Sequence, residues 1–306
     1  MSDKKKEDDK KSSPLVSVIL LSMNRKEMLE SCLRSVQKQN FPEFEIIVVD
    51  NASCDGTGDM VRSLFPDARY FYLSTNLGVP GGRNYGLRMS TGEFCVFVDD
   101  DAVFLDDDAL DRVVSYFRSD NRLGCIAFRI IQPSDGEEYK SIPRVDKKII
   151  HEDYECSYFC GAGFACRRNL FLELGMFWGP LFFIGEELDF SYRLVNQGYK
   201  ILRSYAISVI HYETPQARVR GKWIYYGARS QCWVAVRNLP WRYAVSRTLL
   251  WWGYYFISAL RNRHPICFIL GVKDAVIGLP EAIRTRSCIT KETVGKLKIL
   301  SGRIYY

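Results

Sequence analysis

The first two thirds of the chain alternate short apolar runs with segments of helical periodicity. Residues 15–22 form an unbroken apolar run, which is typical of a strand buried on both faces. Apolar positions in residues 27–39 recur at helical spacing, and residues 44–50 form a second apolar run that ends on a carboxylate. The alternation continues with helices from residue 59, at 83–90, at 168–174 and from 186, and with strands at 69–73 and 94–98. Such alternation predicts an α/β domain with a mostly parallel sheet.

The same pattern divides the chain into three parts. Residues 1–14 are dense in Lys, Asp and Glu, have no apolar segment of the kind found in a signal peptide, and predict a disordered tail. The α/β domain is expected over residues 15–215. Residues 216–306 are aromatic, basic and helical, and their longest apolar run is shorter than the roughly 18–20 residues that cross a bilayer.

Charge is distributed unevenly between these parts. The 306 residues carry a net charge of +6, yet residues 201–306 hold 17 Lys and Arg against 4 Asp and Glu. An acidic amino-terminal part that binds cations and a basic carboxy-terminal part that contacts phosphate, nucleic acid or a membrane surface would explain this asymmetry. The hydrophobic content of 47% excludes a disordered or collagenous protein.

Three consecutive carboxylates follow the apolar strand at 94–98. Asp99, Asp100 and Asp101 would repel one another, and a bound divalent cation would remove that cost. Their oxygen atoms suit Mg²⁺ or Mn²⁺. In an extended segment Asp99 and Asp101 point to one side and Asp100 to the other. A solvated acidic turn is the alternative interpretation.

A second acidic cluster, Glu186, Glu187 and Asp189, stands at a predicted helix start. First-turn acids can simply complement the helix dipole. The apolar residues 182–184 just before them would also desolvate a neighbouring carboxylate and raise its pKa toward that of a useful base.

Residues 76–84 form a glycine-rich loop that leads into a helix. Its backbone N–H groups, with Arg83, are candidates for contact with a phosphate or a nucleobase. The loop matches neither the P-loop nor the dinucleotide-binding glycine pattern, which argues against a P-loop NTPase and a dinucleotide oxidoreductase. No G-x-S-x-G motif is present, which argues against a serine hydrolase.

Five blocks of sequence together resemble the family 2 glycosyltransferases. They lie at residues 16–25, 47–57, 76–84, 97–101 and 185–194, in the family's usual order and spacing. The resemblance covers roughly residues 15–215. It implies the GT-A fold, a Rossmann-like nucleotide-binding sheet with helices on both faces, here followed by a helical, aromatic and basic extension. The resemblance is to family members that transfer one or a few sugars, such as rhamnosyltransferases.

This resemblance implies a nucleotide-sugar donor, inversion at the anomeric carbon and specific residue roles. Asp99 and Asp101 match the D-x-D motif that holds Mg²⁺ or Mn²⁺ against the diphosphate. Glu187 takes the place of the catalytic base, where the family more often has Asp, and Glu186 is the alternative. His211, on its own an ordinary buried histidine, is similar to one often found near the metal. The nucleotide and substrate contacts are expected from Ser22, Asn24, Arg25, Asp50, Asn76, Gly78, Arg83, Asp99, Asp100 and Asp189.

The basic carboxy-terminal region has three open interpretations. Its arginines and lysines alternate with tryptophans, which fits a helical cap, a membrane surface or single-stranded nucleic acid. Nucleic acid is the weakest of these because no recognition motif is present. The residues concerned are Arg218, Arg220, Lys222, Arg229, Arg237, Arg242, Arg247, Trp223, Trp233, Trp241, Trp251 and Trp252.

We therefore expect a metal-dependent, inverting glycosyltransferase that acts on a glycan or lipid-linked acceptor in surface-polysaccharide synthesis. Scattered cysteines favour a reducing, cytoplasmic location, with peripheral contact at the inner membrane face left open. Two alternatives are a nucleotidyltransferase and a catalytically silent protein that keeps the fold and docks on membranes.

Overall fold

The computed structural model describes residues 13–134, 136, 138, 142–212 and 219–305. Most of the predicted tail, Arg218 and the domain boundary near residue 215 therefore lie outside the described residues. Within them, strands form one mixed sheet: β1 (Val16–Ser22), β2 (Phe44–Asp50), β3 (Arg69–Tyr72), β4 (Phe94–Asp99), β5 (Ala102–Phe104), β6 (Leu123–Ile131), β7 (Tyr154–Cys156), β8 (Gly163–Arg167) and β9 (Lys200–His211).

The sheet combines a parallel half with a mixed half. Its order is β3-β2-β1-β4-β8-β6-β9-β5, and β7 pairs with β9 beside this path. β3, β2, β1 and β4 are parallel neighbours, as the sequence predicts. β8 runs antiparallel to β4, and β5 runs antiparallel to β9. The parallel half places the carboxyl ends of β1, β2 and β4 at one edge, where ligands bind in open α/β sheets.

Helices cover both faces of this sheet. They are α1 (Lys26–Gln37), α2 (Thr57–Leu64), α3 (Gly78–Met89), α4 (Ala109–Ser119), α5 (Arg168–Glu173), α6 (Glu186–Asn196), α7 (Arg220–Asn238), α8 (Trp241–Arg261), α9 (Pro265–Ile277), α10 (Leu279–Arg284) and α11 (Lys291–Ile299). Successive β1 side chains point to opposite cores: Val18 and Leu20 pack with α1, α2 and α4, whereas Ile19 packs on the face of α3, α6 and α7. The three layers match the expected α/β architecture.

The glycine-rich segment is a helix rather than a loop. The sequence predicts a helix start at Arg83, but α3 begins at Gly78. A Cβ on Gly82 would lie 2.3 Å from Leu21, and one on Gly86 would lie 2.5 Å from Ile19. These two glycines are therefore needed for the close packing of α3 on β1, and this corrects the interpretation of Gly82 as part of a phosphate-binding loop.

The carboxy-terminal helices share the core of the sheet domain. Trp233 and Val234 of α7, Leu297 of α11 and Ile304 belong to the same buried cluster as Ile19. Helices α8 and α9 pack mainly on α7 and on each other, with a smaller core around Tyr255 and Ala259. None of the helices in the described ranges has the length and apolar content required to traverse a bilayer.

Candidate active site

The first acidic cluster lies where β4 ends beside β1. The parallel register pairs Leu21 with Asp99, so that Ser22 comes next to the turn formed by residues 100 and 101. The Ser22 hydroxyl donates to Asp100 Oδ2 at 2.7 Å. Asp99 and Asp101 do face a common point, as predicted, although a turn rather than an extended segment brings them together.

His211 joins this cluster from the other half of the sheet. The antiparallel register of β5 and β9 pairs Ala102 with His211, which places the imidazole beside the preceding residue, Asp101. His211 Nε2 lies 3.0 Å from Asp101 Oδ1. One ligand atom each from Asp99, Asp101 and His211 lie within 4.8 Å of one another. Carboxylate oxygens with an imidazole nitrogen suit Mn²⁺ well, and the oxygens alone suit Mg²⁺.

Arg25 partly neutralises these carboxylates. Its guanidinium donates to Asp100 at 2.8 Å and to Asp101 at 3.0 Å. Burial raises the pKa of Asp100 to about 7, although the charge of Arg25 opposes the rise. Burial acts the same way on Asp101, but the hydrogen bond and charge of His211, with Arg25, hold the pKa of Asp101 below its usual value. The buried Ser22 and Asp100, with the partly exposed Arg25, thus form a support beneath the Asp99–Asp101 pair.

Arg83 connects the first acidic cluster to the second. Its buried guanidinium donates to Asp99 at 2.8 Å and to the carbonyl oxygen of Gly161 at 2.9 Å. It also reaches Glu187 at 3.3 Å and Glu186 at 3.5 Å. A Cβ on Gly161 would lie 2.1 Å from Glu187, so only glycine leaves room for this arrangement. The structure therefore places Arg83 among carboxylates, between the two sets.

Glu186 and Glu187 differ in their environment although they are neighbours on α6. The Glu186 side chain is 3% exposed and that of Glu187 is 21% exposed. Burial, followed by the charge of Glu187, raises the pKa of Glu186 to about 8. The Oε2 atom of Glu186 has no hydrogen-bond partner within the described ranges. The sequence expectation of a desolvated carboxylate at this position therefore applies to Glu186.

Asp189 faces away from the other acids. Arg193 and Arg237 each donate to it at 2.9 Å, and the Asn238 amide donates at 2.7 Å. These positive charges outweigh the effect of burial and lower the pKa of Asp189. Its carboxylate is completely buried. This corrects the expectation of a substrate contact, because Asp189 anchors α6 to α7.

The turn before Glu186 is held by α7. Phe182 and Ile184 both have positive φ values, of 59° and 67°, which non-glycine residues adopt only when neighbours impose it. Arg229 donates to the carbonyl oxygen of Leu181 at 2.5 Å, and the Ser230 hydroxyl donates to that of Phe183 at 3.3 Å. The carboxy-terminal region thereby fixes the position of the two glutamates.

Loops after β1, β2 and β3 form the rim beside the acidic cluster. The Asp50 carboxylate accepts hydrogen bonds from the Ser53 backbone N–H at 2.7 Å and from the Tyr70 hydroxyl at 2.6 Å. Asn24 accepts from the backbone N–H of Cys54 at 2.7 Å. These bonds tie the first loop to the second and give Asp50 a fixed orientation.

The third loop joins this rim through asparagines. Asn51 donates to Asn76 at 2.8 Å and accepts from the backbone N–H of Leu77 at 2.8 Å. Asn76 accepts from the Gly78 N–H at 2.7 Å. Gly78 has a φ of +71°, and a Cβ there would lie 2.3 Å from the carbonyl oxygen of Phe182. Gly78 is thus needed for packing against the turn that precedes α6.

The structure gathers the predicted residues other than Asp189 along one edge and adds others. The sequence singled out neither Tyr70 nor Gly161 as a site residue. Tyr70 stands on a short, half-exposed strand, and Gly161 lies in a segment without periodicity, so that neither carries a local signal. Five carboxylates at this edge share two guanidinium groups, those of Arg25 and Arg83. The excess negative charge is what a divalent cation would offset.

Comparison with known proteins decides the family. A family model described as "Glycosyl transferase family 2" matches residues 17–175, which include all three strand ends and the first acidic cluster. The chain belongs to glycosyl transferase family 2. The resemblance read from the five sequence blocks is therefore confirmed.

The first curated relatives match shorter stretches of the chain than the family model does. The chain is 42% identical over 93 residues to a GalNAc(5)-diNAcBac-PP-undecaprenol beta-1,3-glucosyltransferase of Campylobacter jejuni, a match that covers 29% of this chain and 30% of that protein. The chain thus matches about a third of the length of the first curated relatives.

Solved structures share the fold of this family 2 chain over most of its length. The mannosyltransferase PcManGT from Pyrobaculum calidifontis, in complex with GDP-Man and Mn²⁺, has a TM-score of 0.59 at 22% identity and covers 94% of this chain and 79% of its own. S. aureus TarS 1–349 in complex with UDP-GlcNAc has a TM-score of 0.63 at 18% identity, with coverages of 89% and 83%. This likeness shows the expected GT-A fold.

Proposed function

We propose that the protein is a metal-dependent, inverting glycosyltransferase that moves a sugar from a nucleotide-diphosphate donor to a hydroxyl group of a glycan or lipid-linked acceptor. The observation that carries this proposal is that Arg83 joins a cation-binding set to a partly exposed carboxylate. Arg83 donates to Asp99 and to Glu187. Asp99 forms the cation-binding set together with Asp101 and His211. Family membership supports the reaction class.

The donor set fits a divalent metal. Asp99, Asp101 and His211 would hold Mg²⁺ or Mn²⁺, and the imidazole favours Mn²⁺ of the two. Such an ion supplies Lewis-acid stabilisation of the charge that develops on the departing diphosphate. The PcManGT structure contains Mn²⁺ with GDP-Man, and the TarS structure contains UDP-GlcNAc, which supports a nucleotide-sugar donor here.

Glu187 is the carboxylate best suited to act as the base. It is more exposed than Glu186, and its ion pair with Arg83 holds it next to the cation-binding set. As the acceptor oxygen forms a bond to the anomeric carbon, Glu187 takes the hydroxyl proton. The bond from that carbon to the diphosphate oxygen breaks, and the nucleoside diphosphate leaves with the electron pair. One displacement of this kind inverts the anomeric configuration.

Glu186 has a supporting part in this proposal. With a pKa near 8, it is largely protonated at neutral pH and is therefore a poor proton acceptor. Its neutral form lowers the repulsion that a second buried negative charge would exert on Glu187. Asp50 and the asparagine-linked loops are proposed to receive the nucleoside, since they lie beyond the carboxyl ends of β1, β2 and β3.

The acceptor is proposed from a relative's name and from the family. The Campylobacter jejuni relative is named for a PP-undecaprenol-linked acceptor, which favours a lipid-linked acceptor over a free sugar. We also propose a cytoplasmic location for the donor-binding site. Residues 15–215 are proposed as the catalytic domain, and residues 216–306 as a helical carboxy-terminal region that shares its core.

Thermal unfolding with nucleotides tests this function. UDP, GDP, dTDP and CMP are each added with Mn²⁺ or with EDTA. A nucleotide at 100 times its dissociation constant stabilises the native state by about 2.7 kcal/mol, and we expect one of the four to do so only with metal. Asp101→Ala should abolish that response, and Asp107→Ala, an exposed acid in a nearby turn, should retain it.

Three results would contradict the proposal. The first is an absence of stabilisation by any of the nucleotides, which would favour a catalytically silent protein. The second is full metal-dependent stabilisation of Asp101→Ala, which would place the metal elsewhere. Transfer of a nucleotidyl group rather than a sugar, detected by mass spectrometry of the products, would favour a nucleotidyltransferase.

A further inference from the structure

Helices α8 and α9 expose apolar side chains on one side. We define the apolar face by Leu249, Ile257 and Leu260 of α8 and Ile266, Ile269 and Ile277 of α9, which are between 51% and 69% exposed. The two helices contact each other, with the Phe256 and Phe268 ring centroids 5.6 Å apart, and both pack on α7. Their exposed sides therefore face away from the protein core.

This surface departs from that of an ordinary surface helix. Such a helix normally places charged and polar residues on its outer side. Residues 243–260 of α8 contain one charged residue, Arg247, and its side chain is fully buried. On α9, Asp274 is turned inward and accepts a hydrogen bond from the Tyr225 hydroxyl, leaving Lys273 as the exposed charge. A contiguous exposed apolar surface of this kind marks an interaction site.

The charges around the apolar face indicate what covers it. Arg242 stands at the start of α8, and Arg261 and Arg263 stand at its end, all three exposed. Residues 219–305 hold 15 Lys and Arg against 3 Asp and Glu, so this rim has little acid to balance it. A cationic rim around an apolar surface is complementary to the anionic headgroups and acyl chains of a lipid leaflet. Two copies facing each other would instead bring like charges together.

The residues that form this surface differ from those that the sequence singled out. Arg229, Arg237 and Arg247 are buried, as is Trp233, and their side chains hold α7 to its neighbours. Among the residues named from the sequence, Arg242 does stand at the rim. The surface is formed mainly by the exposed apolar residues of α8 and α9.

We propose that the apolar face docks the protein on an anionic lipid bilayer, with α8 and α9 lying in the plane of the headgroups. The argument rests on the two helices and their rim alone. A lipid-linked acceptor, as in the proposed function, would be available at such a surface, but docking does not depend on transfer.

Vesicle flotation with the full chain tests this proposal. The protein is mixed with vesicles of phosphatidylcholine alone or of equimolar phosphatidylcholine and phosphatidylglycerol. We expect flotation with the phosphatidylglycerol vesicles and a loss at high salt. The double variant Leu249→Glu/Ile257→Glu should bind at least about tenfold more weakly, because it places two charges in the face. The matched control Leu64→Glu/Leu105→Glu alters two exposed leucines elsewhere and should bind like the wild type.

Two further measurements show whether a variant changes only the binding to vesicles. Circular dichroism and the nucleotide-induced thermal shift should be the same for both double variants and the wild type, which separates docking from folding and from donor binding. Failure of the wild type to bind phosphatidylglycerol vesicles, or equal binding by Leu249→Glu/Ile257→Glu, would overturn the proposal. So would a wild-type dimer in light scattering that the same variant dissociates without any vesicle binding, because the face would then be covered by a second copy.

Discussion

The first turn of α6 holds carboxylates in two different environments within four residues. Glu186 and Glu187 face the sheet edge, where they share Arg83 with Asp99. Asp189 faces α7, where two arginines and an asparagine amide surround it. In the first environment carboxylates outnumber guanidinium groups, and in the second guanidinium groups outnumber the carboxylate.

This difference separates a site from a scaffold. The charge of Asp189 is fully compensated, so that its pKa is lowered and the contact holds two helices together. The Oε2 atom of Glu186 has no hydrogen-bond partner in the described part of the chain, and the pKa of Glu186 is raised. A buried carboxylate whose pKa is raised, in contact with other acids at a sheet edge, is a candidate for function. Acidic residues at a helix start are thus distinguished by their partners.

The strongest test of this comparison is Glu187→Gln. The amide cannot take the acceptor proton, so we expect the rate of sugar transfer to fall by about 10²- to 10⁴-fold. Nucleotide binding with Mn²⁺ should be unchanged, because the cation-binding set is intact. Transfer is measured with the donor identified by the thermal shift. Wild-type activity in this variant would move the base to another carboxylate.

Asp189→Asn tests the scaffold side. Removing one partner of a buried ion pair leaves uncompensated charge, and we expect a loss of about 3–5 kcal/mol in the free energy of unfolding. Denaturant unfolding measures the loss. As a control, Glu30→Gln breaks a pair with Arg34 on the surface of α1 and should cost no more than about 0.5 kcal/mol. Equal stability of the two variants would remove the distinction between site and scaffold.

The smallest effect is expected from Glu186→Gln and depends on pH. The folded-state pKa of Glu186 is raised to about 8 from an ordinary value of 4.5, so the wild type loses stability as pH rises between these values. Glutamine has no such titration. The thermal midpoint of the variant, relative to that of the wild type, should therefore rise by a few degrees as pH rises through this window. Above the window the difference should stay constant. Midpoints are compared in EDTA, and a difference independent of pH would contradict the assignment.

Much of the fold is readable from the sequence because it depends on local periodicity. The apolar runs at 15–22 and 44–50 and the helical spacing at 27–39 correspond to β1, β2 and α1 within two residues at each end. The predicted start of α3 was wrong by five residues, since Gly82 and the glycines before it look like loop residues until Leu21 is seen packed against Gly82. A glycine's local signal is the same in a turn and in a tight helix–sheet contact.

The sequence by itself determined the family, the α/β alternation and the acids at the end of β4. These features are set by short-range pattern: which residues are apolar, how they are spaced, and which polar groups follow a strand. It could not assign Asp189 or the outer face of α8. Tertiary structure decided both, because Arg237 reaches Asp189 across 48 residues of chain and Arg83 reaches Glu186 across 103. A carboxylate's role depends on the charges that folding brings beside it, and no local spacing encodes those distant partners.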